Sequence, residues 1–125
     1  MMSLFVVGLG GFIGAVSRFY LSNIINNLKE ISFPLGTFIV NIIGCLFIGI
    51  VMYLVEEKSF LSPNLKLLLL TGLLGSFTTF STFGFDTLHL FRLGDFFSAG
   101  LNILLNVLVG LLAVYIGRYC LKYII

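Results

Sequence analysis

Four long stretches of the chain, residues 1–17, 31–55, 67–85 and 96–117, contain no charged side chain, and apolar residues fill most of each. A helix needs about 20 such residues to cross a hydrocarbon core about 30 Å thick. The pattern therefore predicts four membrane-spanning helices, at roughly 4–25, 34–55, 66–88 and 97–121. The connectors near 26–33, 56–64 and 91–95 are short and polar, and the first closes on Pro34, which suits a helical first turn. None could hold a domain. The chain reads as one all-α membrane domain over residues 1–125. Arg18 is the one charge well inside a span.

Composition narrows the class. Of 125 residues, 59% are hydrophobic and 10% charged, against about 25% charged in soluble domains. This excludes a water-soluble enzyme, a disordered regulator and a nucleic-acid binder. The net charge of +2 is too small and scattered to attract a polyanion. No basic segment precedes the first span and no small-x-small site follows it, so it reads as a mature helix and not a signal peptide. Cys45 and Cys120 lie in or at the end of spans, where a thiol behaves as a small apolar group. Neither a disulfide nor a metal site is expected of them.

Four spans place both termini on one side. That side carries Lys58, Lys66, Arg118 and Lys122, and the other Arg18, Lys29 and Arg92. Four against three is almost no orientation signal. Two readings follow. The chain inserts both ways and opposite-facing copies pair into an antiparallel dimer, or one end charge such as Arg118 decides the topology.

Gly10 and Gly14, Gly44 and Gly49, and Gly110 and Gly117 notch the first, second and fourth spans. Small residues let helices approach closely in lipid, where van der Waals contact drives association. The glycine run at 8–14 vaguely resembles a dinucleotide fingerprint, but its third glycine is off by one and no strand precedes it.

The third span gathers Gly, Ser and Thr at 71–84. Glycine disfavours helix and hydroxyls compete for the backbone, so a break around 75–79 is one reading. An intact helix with hydroxyls bonded to their own backbone is the other. Broken backbone at membrane depth must be buried by protein or line a water-filled cavity. Phe80 and Phe83 share a face if helix continues there, and ring edges carry positive potential. Asn41 and Thr37 lie four apart in the second span, and Asn102 and Asn106 four apart in the fourth. No carboxylate sits at the centre of a span, Asp86 is near an end, and His89 reads as interfacial. Proton-coupled transport wants a titratable group at depth. A polar path without one suits passive conduction of a small solute.

Three motifs carry a family resemblance. They are Gly10-Gly11-Phe12-Ile13-Gly14-Ala15-Val16-Ser17-Arg18-Phe19, Pro34-Leu35-Gly36-Thr37-Phe38-Ile39-Val40-Asn41-Ile42-Ile43-Gly44, and Gly72-Leu73-Leu74-Gly75-Ser76-Phe77-Thr78-Thr79-Phe80-Ser81-Thr82-Phe83. On these the chain resembles the Fluc (CrcB-type) fluoride channels along nearly its whole length. The resemblance implies an antiparallel, dual-topology homodimer with a broken third helix, embedded in the plasma or inner membrane of a prokaryote. It implies two passive fluoride pores that export F− from the cytoplasm and give fluoride resistance. It places Phe80, Phe83, Asn41, Thr37, Ser81, Thr82 and Asn106 along the fluoride path, and Arg18 and Asp86 at the vestibule. It also implies a structural Na+ at the dimer interface, held by the backbone carbonyls of Gly75 and Thr78. Ser76 stands where the family often has glycine, Asp86 where Glu is expected, and Asn106 where a hydroxyl is common. Two other classes fit four spans. A small multidrug-type exporter wants a carboxylate in the first span, and residues 1–17 have none. A non-conducting assembly subunit would carry no ion.

Overall fold

A computed structural model describes residues 1–28, 30–57, 59 and 61–124. Lys29 and Lys58, counted above for orientation, lie outside the described residues. Helix α1 is Met2–Leu28, α2 is Leu35–Glu56 and α6 is Phe96–Cys120, which ends in a 3-10 turn, Leu121–Tyr123. The third span, Pro63–Arg92, is composite. It starts with α3, Pro63–Lys66, continues as a π-helix over Leu67–Leu74, and returns to α geometry in α4, Gly75–Phe77. It then breaks, and resumes as α5, Phe80–Arg92. No strand occurs among the described residues, and all four spans are long and apolar enough to cross a membrane.

The third span runs past its apolar stretch at both ends, and local signals explain why. Ser62 Oγ accepts the Leu65 N–H at 3.3 Å, and Pro63 occupies the first helical position, where its missing N–H costs nothing. At the far end Gly94 has φ +77°. The Gly94 N–H bonds the Phe91 carbonyl at 3.1 Å and the Asp95 N–H the Leu90 carbonyl at 3.0 Å, the two bonds of a Schellman stop. Asp95 then caps α6 by accepting the Ser98 N–H at 3.0 Å, and the Ser98 hydroxyl together with that N–H holds its carboxyl below the usual carboxylate range. Pro34 offers α2 no side-chain cap. Instead, Asn26 on α1 accepts the Gly36 N–H at 2.9 Å, so one helix caps its neighbour.

Helices α2 and α6 run parallel and form the most extensive contact. It is made by glycine. A Cβ at Gly49 would collide with the Val114 carbonyl, and one at Gly117 with the Leu46 carbonyl. The six glycines read as notches are all buried. At the end of this contact Arg118 pairs with Glu56 and lies 3.8 Å from Glu57, a cation set where two helix C-termini meet. Helix α1 packs on the π-helix through Gly10, Gly14 and Gly72, and the Ser76 hydroxyl lies 3.0 Å from the Gly11 carbonyl. Large apolar side chains such as Phe5, Phe12, Leu104 and Leu111 cover the outside.

Candidate functional site

The break falls at Thr78 and Thr79, whose backbones are extended (φ −79°, ψ 154° and φ −149°, ψ 116°). Gly75, expected within the break, is still helical. In a continuous helix the Thr79 N–H would donate to the Gly75 carbonyl. Here it donates to Asn41 Oδ1 at 2.9 Å, and the Thr79 carbonyl accepts from Asn41 Nδ2 at 3.2 Å. One side-chain amide on α2 thus stands in for a missing peptide partner in both directions. The Thr79 hydroxyl caps α5, accepting the Thr82 N–H at 3.2 Å and donating to Thr82 Oγ1 at 3.0 Å. Asn41 and Thr79 therefore let the chain leave the helix and re-enter it without orphaning polar groups of Thr79.

The break separates two hollows that share Thr79 in their walls. On one side is an open groove of about 240 Å³, lined by Asn41, Cys45, Thr79, Phe80, Phe83 and Asn106. The rings of Phe80 and Phe83 lie 5.4 Å apart, tilted by 53°, and Phe80 is 83% exposed. On the other side Arg18, Thr37, Thr79 and Thr82 line a hollow of about 180 Å³. Beyond it a polar cleft of about 350 Å³ is bounded by Ser22, Asn26, Thr37, Thr82 and Asp86. The sequence-predicted residues are thus sorted. Phe80, Phe83, Asn41 and Asn106 belong to the groove, Arg18 to the hollow, Asp86 to the cleft, and Thr37 and Thr82 to both hollow and cleft. Ser81 is exposed beside the break, its Oγ 3.3 Å from Thr79 Oγ1. Gly75 is exposed and Thr78 half-buried on the helix side of the break.

Three details were not legible in the pattern of residues. Thr37 and Asp86 are directly bonded, the Thr37 hydroxyl donating to Asp86 Oδ2 at 2.7 Å. Both amide hydrogens of Asn106 go to oxygens of Asn102 at 2.9 Å, so towards Asn41 it offers its oxygen, at 3.2 Å. Ser76 keeps the helix intact, with its hydroxyl 2.5 Å from the Gly72 carbonyl one turn back. Thr79 was passed over as a site residue, although a threonine three before Thr82 at a helix restart is a cap signal. Thr87 and Asn26 had no comparable signal, because their partners lie on other helices.

A family model described as CrcB-like protein, Camphor Resistance (CrcB), matches residues 5–118. The chain belongs to the CrcB-like family. Among its CrcB-like relatives, the fluoride-specific ion channel FluC of Dehalococcoides mccartyi (strain BAV1) is 47% identical over 119 residues, covering 95% of this chain and 92% of that one. The protein of the same name from Shewanella denitrificans is 48% identical over 118 residues, 94% of each chain. Fluoride-specific ion channel FluC 1 of Methanosarcina acetivorans is 43% identical over 118 residues, 94% of this chain and 89% of its own. The resemblance drawn from the motifs is therefore a family relationship. The CrcB-like chain is a multi-pass membrane protein of a channel family and not an enzyme.

Proposed function

We propose that this chain forms a passive, fluoride-selective channel that lets F− leave the cytoplasm and so confers fluoride resistance. The observation that carries the reading is the Asn41–Thr79 clamp, which opens the third span between a polar cleft and a phenylalanine-lined groove. Curated relatives named as fluoride-specific channels support the choice of ion.

Fluoride is small and strongly hydrated, so a path must replace its water with donors yet release it again. Arg18 draws an anion into the hollow that leads from the cleft, where the Thr82 hydroxyl donates to it and Thr37 does so only by giving up its bond to Asp86. Ser81 and Thr82 lead towards the groove. There the ring edges of Phe80 and Phe83 and the Asn41 amide take over. Both Asn41 hydrogens already have acceptors, Thr79 O and Asn106 Oδ1. A passing anion exchanges with one of them, so the net gain is small and the ion is not trapped. Asp86, bonded to Thr37, sets the polarity of the cleft mouth.

A second, antiparallel copy completes the assembly in this reading. Gly75 and Phe80 are exposed and the groove is open, and a carbonyl released from a helix cannot face acyl chains. A partner subunit covers this face, giving a homodimer with two pores. The carbonyls of Gly75 and Thr78 from both subunits would hold a structural Na+ at the interface. Diversion of the Thr79 N–H to Asn41 frees the Gly75 carbonyl for that role, and hard carbonyl oxygens suit the ion. The cation would supply positive charge that lets the converging carbonyl dipoles coexist.

The test is fluoride efflux from proteoliposomes, with chloride as control. Fluoride release without chloride release supports the channel. An intact dimer that releases neither overturns it and leaves an assembly subunit. Efflux that requires a proton gradient overturns it in favour of an exporter.

A further inference from the structure

A directed chain of hydrogen bonds runs behind the groove. The Thr87 hydroxyl donates to the Phe83 carbonyl at 2.8 Å, and Asn102 Nδ2 donates to Thr87 Oγ1 at 2.9 Å. Asn106 Nδ2 donates to Asn102 Oδ1 and to the Asn102 carbonyl, each at 2.9 Å. Asn41 Nδ2 donates to Asn106 Oδ1 at 3.2 Å. Asn102 is 1% exposed and Thr87 7%, so neither touches the groove, and neither was placed on the ion path.

Every orientation in this chain is determined. Thr87 has one hydroxyl hydrogen, already given to a main-chain oxygen, so towards Asn102 it can only accept. Asn102 must then turn its NH2 to Thr87 and its oxygen to Asn106. Asn106 faces two oxygens, one of them main chain and unable to flip. A flipped Asn106 would press its own oxygen against both. Its oxygen is therefore committed to Asn41, and the groove holds one donating amide instead of two.

We propose that Asn102, held by Thr87, is a positioning residue that keeps Asn106 an acceptor, so that only Asn41 donates to the passing anion. The inference rests on the channel reading above. Its consequence is a balance between capture and release. With the Thr87 hydroxyl gone Asn102 can turn its own NH2 towards Asn106, only the Asn102 carbonyl still holds Asn106, and the Asn106 NH2 spends part of the time in the groove beside that of Asn41. Two amides then hold fluoride more tightly and release it more slowly.

The experiment compares the concentration dependence of fluoride flux in native protein, Thr87→Val and Thr87→Ser. Valine has the shape of threonine without the hydroxyl. Thr87→Val is expected to lower the half-saturating fluoride concentration by about tenfold and to lower maximal flux with it. Thr87→Ser restores both to native values. An assembled Thr87→Val channel with an unchanged half-saturating concentration overturns the proposal, whatever its maximal flux, because loss of folded channels changes the maximum alone. So does a Thr87→Ser channel that behaves like Thr87→Val. If Thr87→Val does not assemble, native protein labelled with 15N-asparagine decides. Fluoride is expected to shift the side-chain NH2 signal of Asn41 and not that of Asn106, and an equal shift of Asn106 overturns the proposal. Native protein that carries no fluoride fails the channel reading and this inference with it. Native protein that conducts but shows the Asn106 shift fails this inference only.

Discussion

Helix α2 meets its neighbours in two different ways. Against α6 it uses Gly49, with Gly117 opposite, and main chain touches side-chain-free surface. Against the broken third span it uses Asn41, whose amide makes reciprocal bonds with Thr79. The first contact requires atoms to be absent; the second needs absence too, at Gly44 against Thr78, but also requires particular atoms to be present. A membrane offers no hydrophobic drive between apolar helices, so close approach must supply the attraction. It also offers no water to a backbone that leaves its ladder, so a side chain must take the place of water. The glycine seam holds spans together, while the amide clamp allows one of them to open.

The comparison breaks most sharply at the seam. Gly117→Leu places a branched side chain against the Leu46 carbonyl and forces α2 and α6 apart. Overpacking of this kind costs about 3 kcal/mol or more, and the expected result is near-complete loss of monodisperse protein by size-exclusion chromatography in detergent. At the clamp, Asn41→Leu leaves both Thr79 groups unpaired at depth, which costs about 2–4 kcal/mol. Asn41→Asp keeps an acceptor for the Thr79 N–H and loses donation. It is expected to assemble while fluoride flux falls by about a hundredfold. Equal flux in Asn41→Asp and native protein would reduce the clamp to a structural staple. Phe80→Ile spares seam and clamp alike and removes one ring from the groove. Flux should fall by about tenfold with the yield of assembled protein unchanged, and a native rate would remove the ring edges from the proposed path.

The smallest effect lies outside both regions. The Asp95 carboxyl is held low by Ser98, so its contribution is complete above the ordinary carboxylate range and is lost only as pH falls through the depressed value. Thermal unfolding of native protein should therefore be flat from neutral to mildly acid pH. Asp95→Ala should lower the midpoint slightly across that window and converge with native protein in strong acid. A constant gap at all pH values would show that the cap acts without its charge.

The four spans were legible because lipid imposes a length and forbids charge, and both constraints are written residue by residue. The small-residue notches were legible for the same reason, since Gly49 and Gly117 stand out in apolar helices. In the third span the cluster of Gly, Ser and Thr left intact and broken helix equally open. What decided between them was Asn41, 38 positions away from Thr79 in the chain. Propensity within a window cannot weigh a partner that distant. The roles of Asn106 and Asn102 were hidden in the same way. Spacing set them on one face of α6, but an amide donates or accepts according to its neighbours, and Thr87 belongs to another helix.

By itself the sequence determined that this chain crosses a membrane four times, through close-packed helices and with no carboxylate at span centres. Its motifs also pointed to the family. Those properties follow from composition and period, which each residue carries alone. The tertiary structure decided where the third span opens, which amide closes the gap, and which way each asparagine points. Those properties depend on hydrogen-bond partners brought together from α2, α5 and α6, and they exist only once the helices have packed.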